Sequence, residues 1–501
     1  MTKRKLILGV VGLMVFSMLS SSCKKWLTLQ PQDGITRQEF WKTKEQIQSA
    51  VIGTYASLLG DPNNRDRPLS EYLFLWGELK GDMITNGIGV TNDELDVMYV
   101  NTLPTNSITQ WASVYKTINY CNTVIDFAPG VIENDNTLTQ TQLKAYLAEV
   151  RALRGLMYFY LARSFRDVPL KLKSTSSDVD LIQLPKSTGA QVMAQVEADL
   201  KYADSNAVFT YGNAAIDKGR ITKYTVKAML ADVYLWQDKY QEAADACDFI
   251  ISSGQFGLVR GDDGWFNTLY YKGNSAESIF EFQFDQQKLN SFYNMLTTSR
   301  ARFFASPYVM EQVYTIDFVD DTKKDIRGEW GSVRTSDNAI WKYLGVNPGS
   351  IRAADASWAH WMVYRYADIL LMKAEALNQI GGRGTEAIQL INTVRTRAAA
   401  LDATNTNPDP TNKNDMTDYI LAERARELSF EGKRWYDVLR NAKRNNYQRK
   451  DILLNMVARA VPGARQQSAI NKYQNPDAHY FPIYFNELLL DPNLVQNPFY
   501  K

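Results

Sequence analysis

The sequence predicts a mainly α-helical fold in which tetratricopeptide-like helix pairs form a spine, with long irregular loops and a few short strands. Two segments repeat one helix–turn–helix pattern, small residues line both, and aromatic-rich stretches without helical period lie between them. The first sharp copy starts at Thr222. Val226, Leu230, Val233 and Tyr234 recur at helical spacing, a break falls at Gln237–Asp238, and Ala243, Ala246, Cys247 and Ile250 mark a second helix. Ala228, Ala231, Ala243 and Ala246 let the two helices approach closely. The period of about 34 residues matches a tetratricopeptide unit. The second copy starts at Tyr364, with Leu370, Leu371, Ala374 and Leu377 on one helix, a Gly381–Gly382 turn, then Ala387, Leu390, Ile391 and Val394. Less regular pairs are expected from Leu143–Phe165 with Ala190–Tyr202, and from Ile47–Leu59 with Trp111–Phe127. Stacked pairs bury one another's apolar faces, which favours a spine over a generic bundle.

Between the pairs, residues 60–110, 254–355 and 401–415 read as irregular, with a short strand at Ser278–Phe284. Loops of this length are functional or disordered, and their aromatic content argues against disorder. The binding site is therefore expected on them, mounted on the helical frame.

Formal net charge is +1, from 56 basic and 55 acidic residues. That balance excludes the basic excess of a nucleic-acid surface. With two histidines, His360 and His479, histidine-based metal or acid–base chemistry is not expected, and no metal or cofactor is predicted. Aromatic residues make up 12% of the chain.

Lys3, Arg4 and Lys5 precede an apolar stretch, Leu6 to Leu19, and Ser20–Ser22 lead into Cys23. A spanning helix needs about 20 apolar residues, so residues 1–22 read as a signal peptide. Small residues before a cysteine resemble a lipobox, in which the Cys23 thiol would receive diacylglycerol and the residue become the mature N-terminus, with palmitate an expected acyl chain of the anchor. An ordinary secretory leader with an incidental cysteine is the competing reading. Ser20 stands where a leucine is usual. Cys121 and Cys247 then remain, too few for a disulfide scaffold and compatible with either free thiols or one bridge.

Five stretches together resemble the SusD/RagB family: CKKWLTLQPQDGITRQEFWKTKEQIQSAVIGTYASL from Cys23, AEVRALRGLMYFYLARSFRDVPL from Ala148, VYRYADILLMKAEALNQIGG from Val363, ERARELSFEGKRWYDVLR from Glu423, and the terminal YFPIYFNELLLDPNLVQNPFYK. Arg166 and Phe499 stand where the family usually has glycine, and Tyr484 where it has proline. The resemblance implies a lipid-anchored protein of the cell outer membrane. It also implies that such a protein acts as a lid on a SusC-like TonB-dependent transporter and holds a glycan or other oligomeric nutrient for import. Residues 23–255 would form an N-terminal region and 256–501 a C-terminal region carrying most of the binding loops. The competing classes are a surface or periplasmic glycan hydrolase and a protein-binding helical scaffold.

Sugar rings pack C–H faces on aromatic planes while their hydroxyls need polar partners. Three loop stretches mix those types. Trp76, Asp82, Asn92 and Tyr99 come from the first, Trp265 and Tyr270 from the second, and Trp330 and Trp341 from the third; these are the candidate ligand residues. RGDDGW at Arg260–Trp265 lacks EF-hand spacing and reads as a turn leading to an exposed aromatic. In Glu423–Arg440 the pairs Glu423/Arg426, Glu431/Arg434 and Lys433/Asp437 fall at helical spacing and read as a structural charge network. Each would contribute about 0.2–0.5 kcal/mol if exposed. Arg365 and Asp368 read as braces between helix pairs.

Overall fold

The computed structural model describes residues 40–60, 67–175, 181–297 and most of the chain from 299 to 501; residues 1–39, 61–66, 176–180, 298, 318, 321, 405 and 406 are outside the description. The leader, Cys23 and the first half of the first family-like stretch therefore lie outside the described residues.

Eight helices form the spine as four packed pairs: α1 (Lys44–Leu58) with α4 (Ala112–Phe127), α5 (Gln140–Phe165) with α6 (Gly189–Asn206), α7 (Lys223–Trp236) with α8 (Tyr240–Ser252), and α9 (Tyr366–Ile380) with α10 (Gly384–Arg397). Each pair also packs on the next, α4 on α5, α6 on α7 and α8 on α9. The helix starts follow their caps. Thr43, Thr139, Thr188 and Thr222 each accept a backbone N–H of the first turn in a reciprocal capping box. The expected breaks are present as backbone geometry: Asp238 lies at φ +60°, and Gly381 and Gly382 at +89° and +70°. Cys121 and Cys247 are free and buried.

The stretch 60–110 is less irregular than its sequence suggests. It holds α2 (Leu69–Glu78), strand β1 (Ile84–Asn86) and α3 (Asn92–Met98). All ten residues of α2 are buried. A helix enclosed on every side shows no amphipathic stripe, which is why periodicity misses it. The helix crosses the turn at Gly432 so closely that a Cβ on Gly77 would overlap the Gly432 carbonyl oxygen. Gly432 itself sits at φ +70° and donates its N–H to Glu78 at 2.8 Å. Stretch 254–355 is largely irregular, as expected. Its strand β2 (Ser278–Phe282) pairs antiparallel with β8 (Trp361–Arg365), directly ahead of α9. It also carries β3 (Phe303–Ala305), hairpin β4–β5 (Val333–Arg334, Ala339–Ile340) and hairpin β6–β7 (Gly345–Asn347, Ser350–Ile351).

The C-terminal helices are α11 (Lys413–Glu427), α12 (Arg434–Tyr447), α13 (Lys450–Ala460) and α14 (Gly463–Tyr473). The Glu423–Arg440 segment holds a charge network, but one unlike the helical pairs expected. Glu423–Arg426 forms; Arg434 instead reaches Asp82, Lys433 reaches Asp368, and Asp437 is held by Arg424 and Arg440. These groups are mostly buried and join separate elements. Arg365 bonds Glu277, Glu427 and Glu431 at 2.6, 2.5 and 2.9 Å, while Arg327 bonds Asp325, Glu423 and Glu427. Lys342 completes Glu431 at 2.8 Å, and Arg397 bonds Glu277 and Glu427. Removing one partner from such a network strands a buried charge, at about 3–5 kcal/mol.

Burial alone would raise the Glu423 and Asp368 carboxyls. The guanidiniums around Glu423, and Lys433 with Arg424 around Asp368, outweigh it and hold both at about 2. Glu78 goes the other way: burial lifts it to about 8, with the Gly432 N–H and Arg434 offsetting part of the rise. Groups held low when folded contribute stability above their unfolded values of 4.5 and 3.8 and lose it as pH falls towards 2. A group held high does the reverse, losing stability as pH rises from 4.5 to about 8. Thermal melts should therefore show a steep loss of stability below about pH 4.5, and above it Glu78 adds a shallow decline towards pH 8. His479, held down to about 4 by burial, opposes that decline up to pH 6.5, and Lys80, held down to about 7, opposes it above pH 7. Glu78→Gln should abolish the shallow limb and leave the acid limb; an unchanged upper limb refutes the assignment.

Candidate ligand-binding face

The structure divides the eight sequence candidates. Trp76 is fully buried, donates its indole N–H to the Ile108 carbonyl at 2.8 Å and packs edge-on to Phe165. Asp82 is buried between Arg434 and Arg459, each contact 2.7 Å. Trp265, Tyr270 and Trp341 belong to a small second core with Met362. A side chain without accessible surface offers a sugar no plane, so these five are corrected to core and brace roles. RGDDGW does form a turn, with Trp265 N–H donating to the Asp262 carbonyl at 2.9 Å, but its aromatic points inward. Asn92 is exposed, and Tyr99 and Trp330 are half-buried. Those three remain candidates.

Tyr99 follows α3, which Thr91 caps through a reciprocal box with Glu94. Its hydroxyl donates to Asn86 Oδ1 at 3.4 Å, at the end of β1. The guanidinium of Arg465, in the first turn of α14, lies 4.8 Å from the Tyr99 ring centre. Val100, next in sequence, takes φ +58°, a strained value for a β-branched residue. Lys472 on α14 secures that turn by donating to the Val100 carbonyl at 2.8 Å.

β1 pairs antiparallel with β3, Asn86 opposite Phe303. After β3, the Ser306 N–H returns to the Met83 carbonyl at 2.9 Å, and Tyr308 is covered by Arg459 at 4.7 Å. The Ala305 N–H donates to the Asn338 carbonyl at 2.8 Å, which ties hairpin β4–β5 to the same ladder. Trp330 precedes that hairpin, its N–H on the Val333 carbonyl at 2.8 Å and its ring 4.9 Å from Trp341. Beside it opens a pocket of about 270 Å³ lined by Met310, Ile316, Lys324 and Glu329 among others. The Tyr99 hydroxyl on Asn86 and the backbone bonds of one small ladder thus connect Tyr99, Tyr308 and Trp330, with Arg459 and Arg465 as further polar neighbours. Half-exposed rings with amide and guanidinium groups at their edges can stack a pyranose and bond its hydroxyls. Tyr308, Arg459 and Arg465 were not among the sequence candidates. The arginines come from polar helices with nothing local to mark them, and the pairing that reveals them exists only in three dimensions.

Fold and face together define a helical-repeat protein that presents aromatic and polar side chains from its loops. The chain belongs to the SusD family: that family's model matches residues 184–500, and a second, described as starch-binding associating with outer membrane, matches 26–235. Among similar proteins, SusD-like protein P38 of Formosa agariphila is 27% identical, the match covering 95% of each chain. A SusD-like protein of Bacteroides ovatus is 21% identical over 87% of this chain and 82% of its own. A solved SusD superfamily structure from Bacteroides vulgatus ATCC 8482 superposes with a TM-score of 0.74 at 21% identity, covering 92% of this chain and 100% of that one. A structure described as a laminarin binding SusD-like protein gives 0.67 at 20% identity, covering 91% and 100%.

The division between core and face is testable. Trp76→Ala should lower unfolding free energy by about 3–5 kcal/mol in urea titrations, as expected for a buried tryptophan. Tyr99→Ala should change it by less than about 1 kcal/mol. Equal losses would contradict the placement.

Proposed function

We propose that this protein is a cell-surface lipoprotein that captures a glycan, or another oligomeric nutrient, without turning it over, and hands it to a SusC-like TonB-dependent transporter. The observation that carries the binding half is the half-exposed Tyr99 plane, braced by Asn86 and Arg465 on a rigid turn. Family membership and the likeness to a laminarin binding SusD-like protein support a saccharide as ligand. The description of the second family model supports association with the outer membrane. The leader at residues 1–22, followed by Cys23, supports an acyl anchor. In this reading both proposed regions build the face: Asn86 and Tyr99 come from residues 23–255, and Tyr308, Arg459 and Arg465 from 256–501.

The test uses calorimetric titration of oligosaccharides into protein beginning at Lys24, alongside an assay for new reducing ends. Saturable binding without new ends is expected, weakened about tenfold or more in Tyr99→Ala, the loss typical of an aromatic anchor. Turnover, or binding indifferent to Tyr99, overturns the reading. Palmitate labelling of cells should vanish in Cys23→Ala; persistence of the label removes the anchor from the proposal.

A further inference from the structure

The Tyr99 face differs in charge from the molecule as a whole. The chain carries a formal net charge of +1, and its buried arginines in the α11–α12 region are paired with carboxylates. Arg465 is different. It is exposed, and among the described residues its guanidinium has no carboxylate within ion-pair distance and no side-chain hydrogen bond; its contact is the face of Tyr99 at 4.8 Å. Stacking on a ring holds the guanidinium plane still while leaving its N–H donors directed outward, the arrangement that suits a carboxylate or sulfate oxygen pair.

A second cation stands beside Tyr99. Lys472 lies seven residues along α14, two turns on and so on the same side of the helix. Its ammonium donates to the Val100 carbonyl and to Asn101, which anchors it beside Tyr99. The acidic groups nearby are Asp96 and Asp93. Asp93 is engaged by the Ser107 backbone N–H and hydroxyl. Asp96 is pushed up by burial and then by the charge of Asp93, against the pull of Arg465 and Lys472.

We infer that the saccharide held on Tyr99 is acidic, its carboxylate or sulfate group bonded by the stacked guanidinium of Arg465 with Lys472 close by. This inference rests on the proposed binding face and specifies the ligand class for it. A neutral glycan would leave the oriented N–H donors to water; an anionic one would gain charge-assisted bonds in a geometry already set.

Three probes of equal length separate the possibilities: an oligouronate, a sulfated oligosaccharide and a neutral oligoglucoside, each titrated into protein beginning at Lys24 at low and high salt. One acidic probe is expected to bind about tenfold or more tighter than the neutral one, a preference weakened by salt. Arg465→Gln should reduce that probe to the neutral level, and Arg465→Lys should restore little because the planar fork is lost. If the neutral probe binds as tightly as either acidic one and Arg465→Gln changes nothing, the inference falls while the Tyr99 face stands. If none of the three binds, the face itself falls with it.

Discussion

The architecture depends on a buried constellation of arginines and carboxylates where α9, α10 and α11 meet the long loop. Arg365 ends β8 directly ahead of α9, Arg397 ends α10, and Glu423, Glu427 and Glu431 come from α11 and the turn after it. Arg327 and Lys342 come from the loop, and Glu277 stands at the start of β2. Placing so many charges in a low-dielectric interior is unfavourable unless each finds several partners in good geometry. The reward is directional. An apolar contact tolerates sliding, but a fork of N–H donors on two carboxylates fixes both position and orientation. That suits a segment of some hundred residues with little regular secondary structure, whose described helices are single short turns such as Phe292–Leu296.

From this constraint the binding face follows in physical sequence. The network pins the long loop at Arg327 and Lys342, and with them the α11–α12 turn. The turn, through Gly432 and Glu78, pins α2. Asp82, a few residues on, binds Arg434 on α12 and Arg459 on α13, so β1 is fixed relative to the C-terminal helices. β1 then carries Asn86 to Tyr99, and α13–α14 carry Arg459 and Arg465 to Tyr308 and Tyr99. Side chains from both ends of the chain converge on one surface without any single element spanning it. A face already in place loses less freedom when a ligand arrives.

The spine was legible in the sequence because its helices carry apolar residues at helical spacing, and the β2 strand because Ile279, Phe280, Phe282 and Phe284 cluster in one short run. The enclosed helix α2 was not, since burial on all sides erases the period. Nor was the fate of the aromatics. Trp76 and Tyr99 occur in the same loop-like stretch, and no local pattern distinguishes the ring that meets Phe165 from the one that meets solvent. The charges of Glu423–Arg440 were read as helical neighbours, whereas burial sends most of them to other elements. Arg166 carries a different lesson. Its departure from the family's usual glycine places a non-glycine residue at φ +67°, a strained setting whose side chain is engaged by Asp167 and by Asp477 at 2.6 Å.

The most direct test of this account is a urea titration of Arg365→Met, read together with saccharide binding in the absence of urea. If the ion constellation positions the loops, the variant loses about 3–5 kcal/mol of unfolding free energy and binds the saccharide more weakly, although residue 365 lies outside the face. A variant as stable as the parent, with unaltered binding, would show that apolar packing alone sets the loops and that the constellation is incidental.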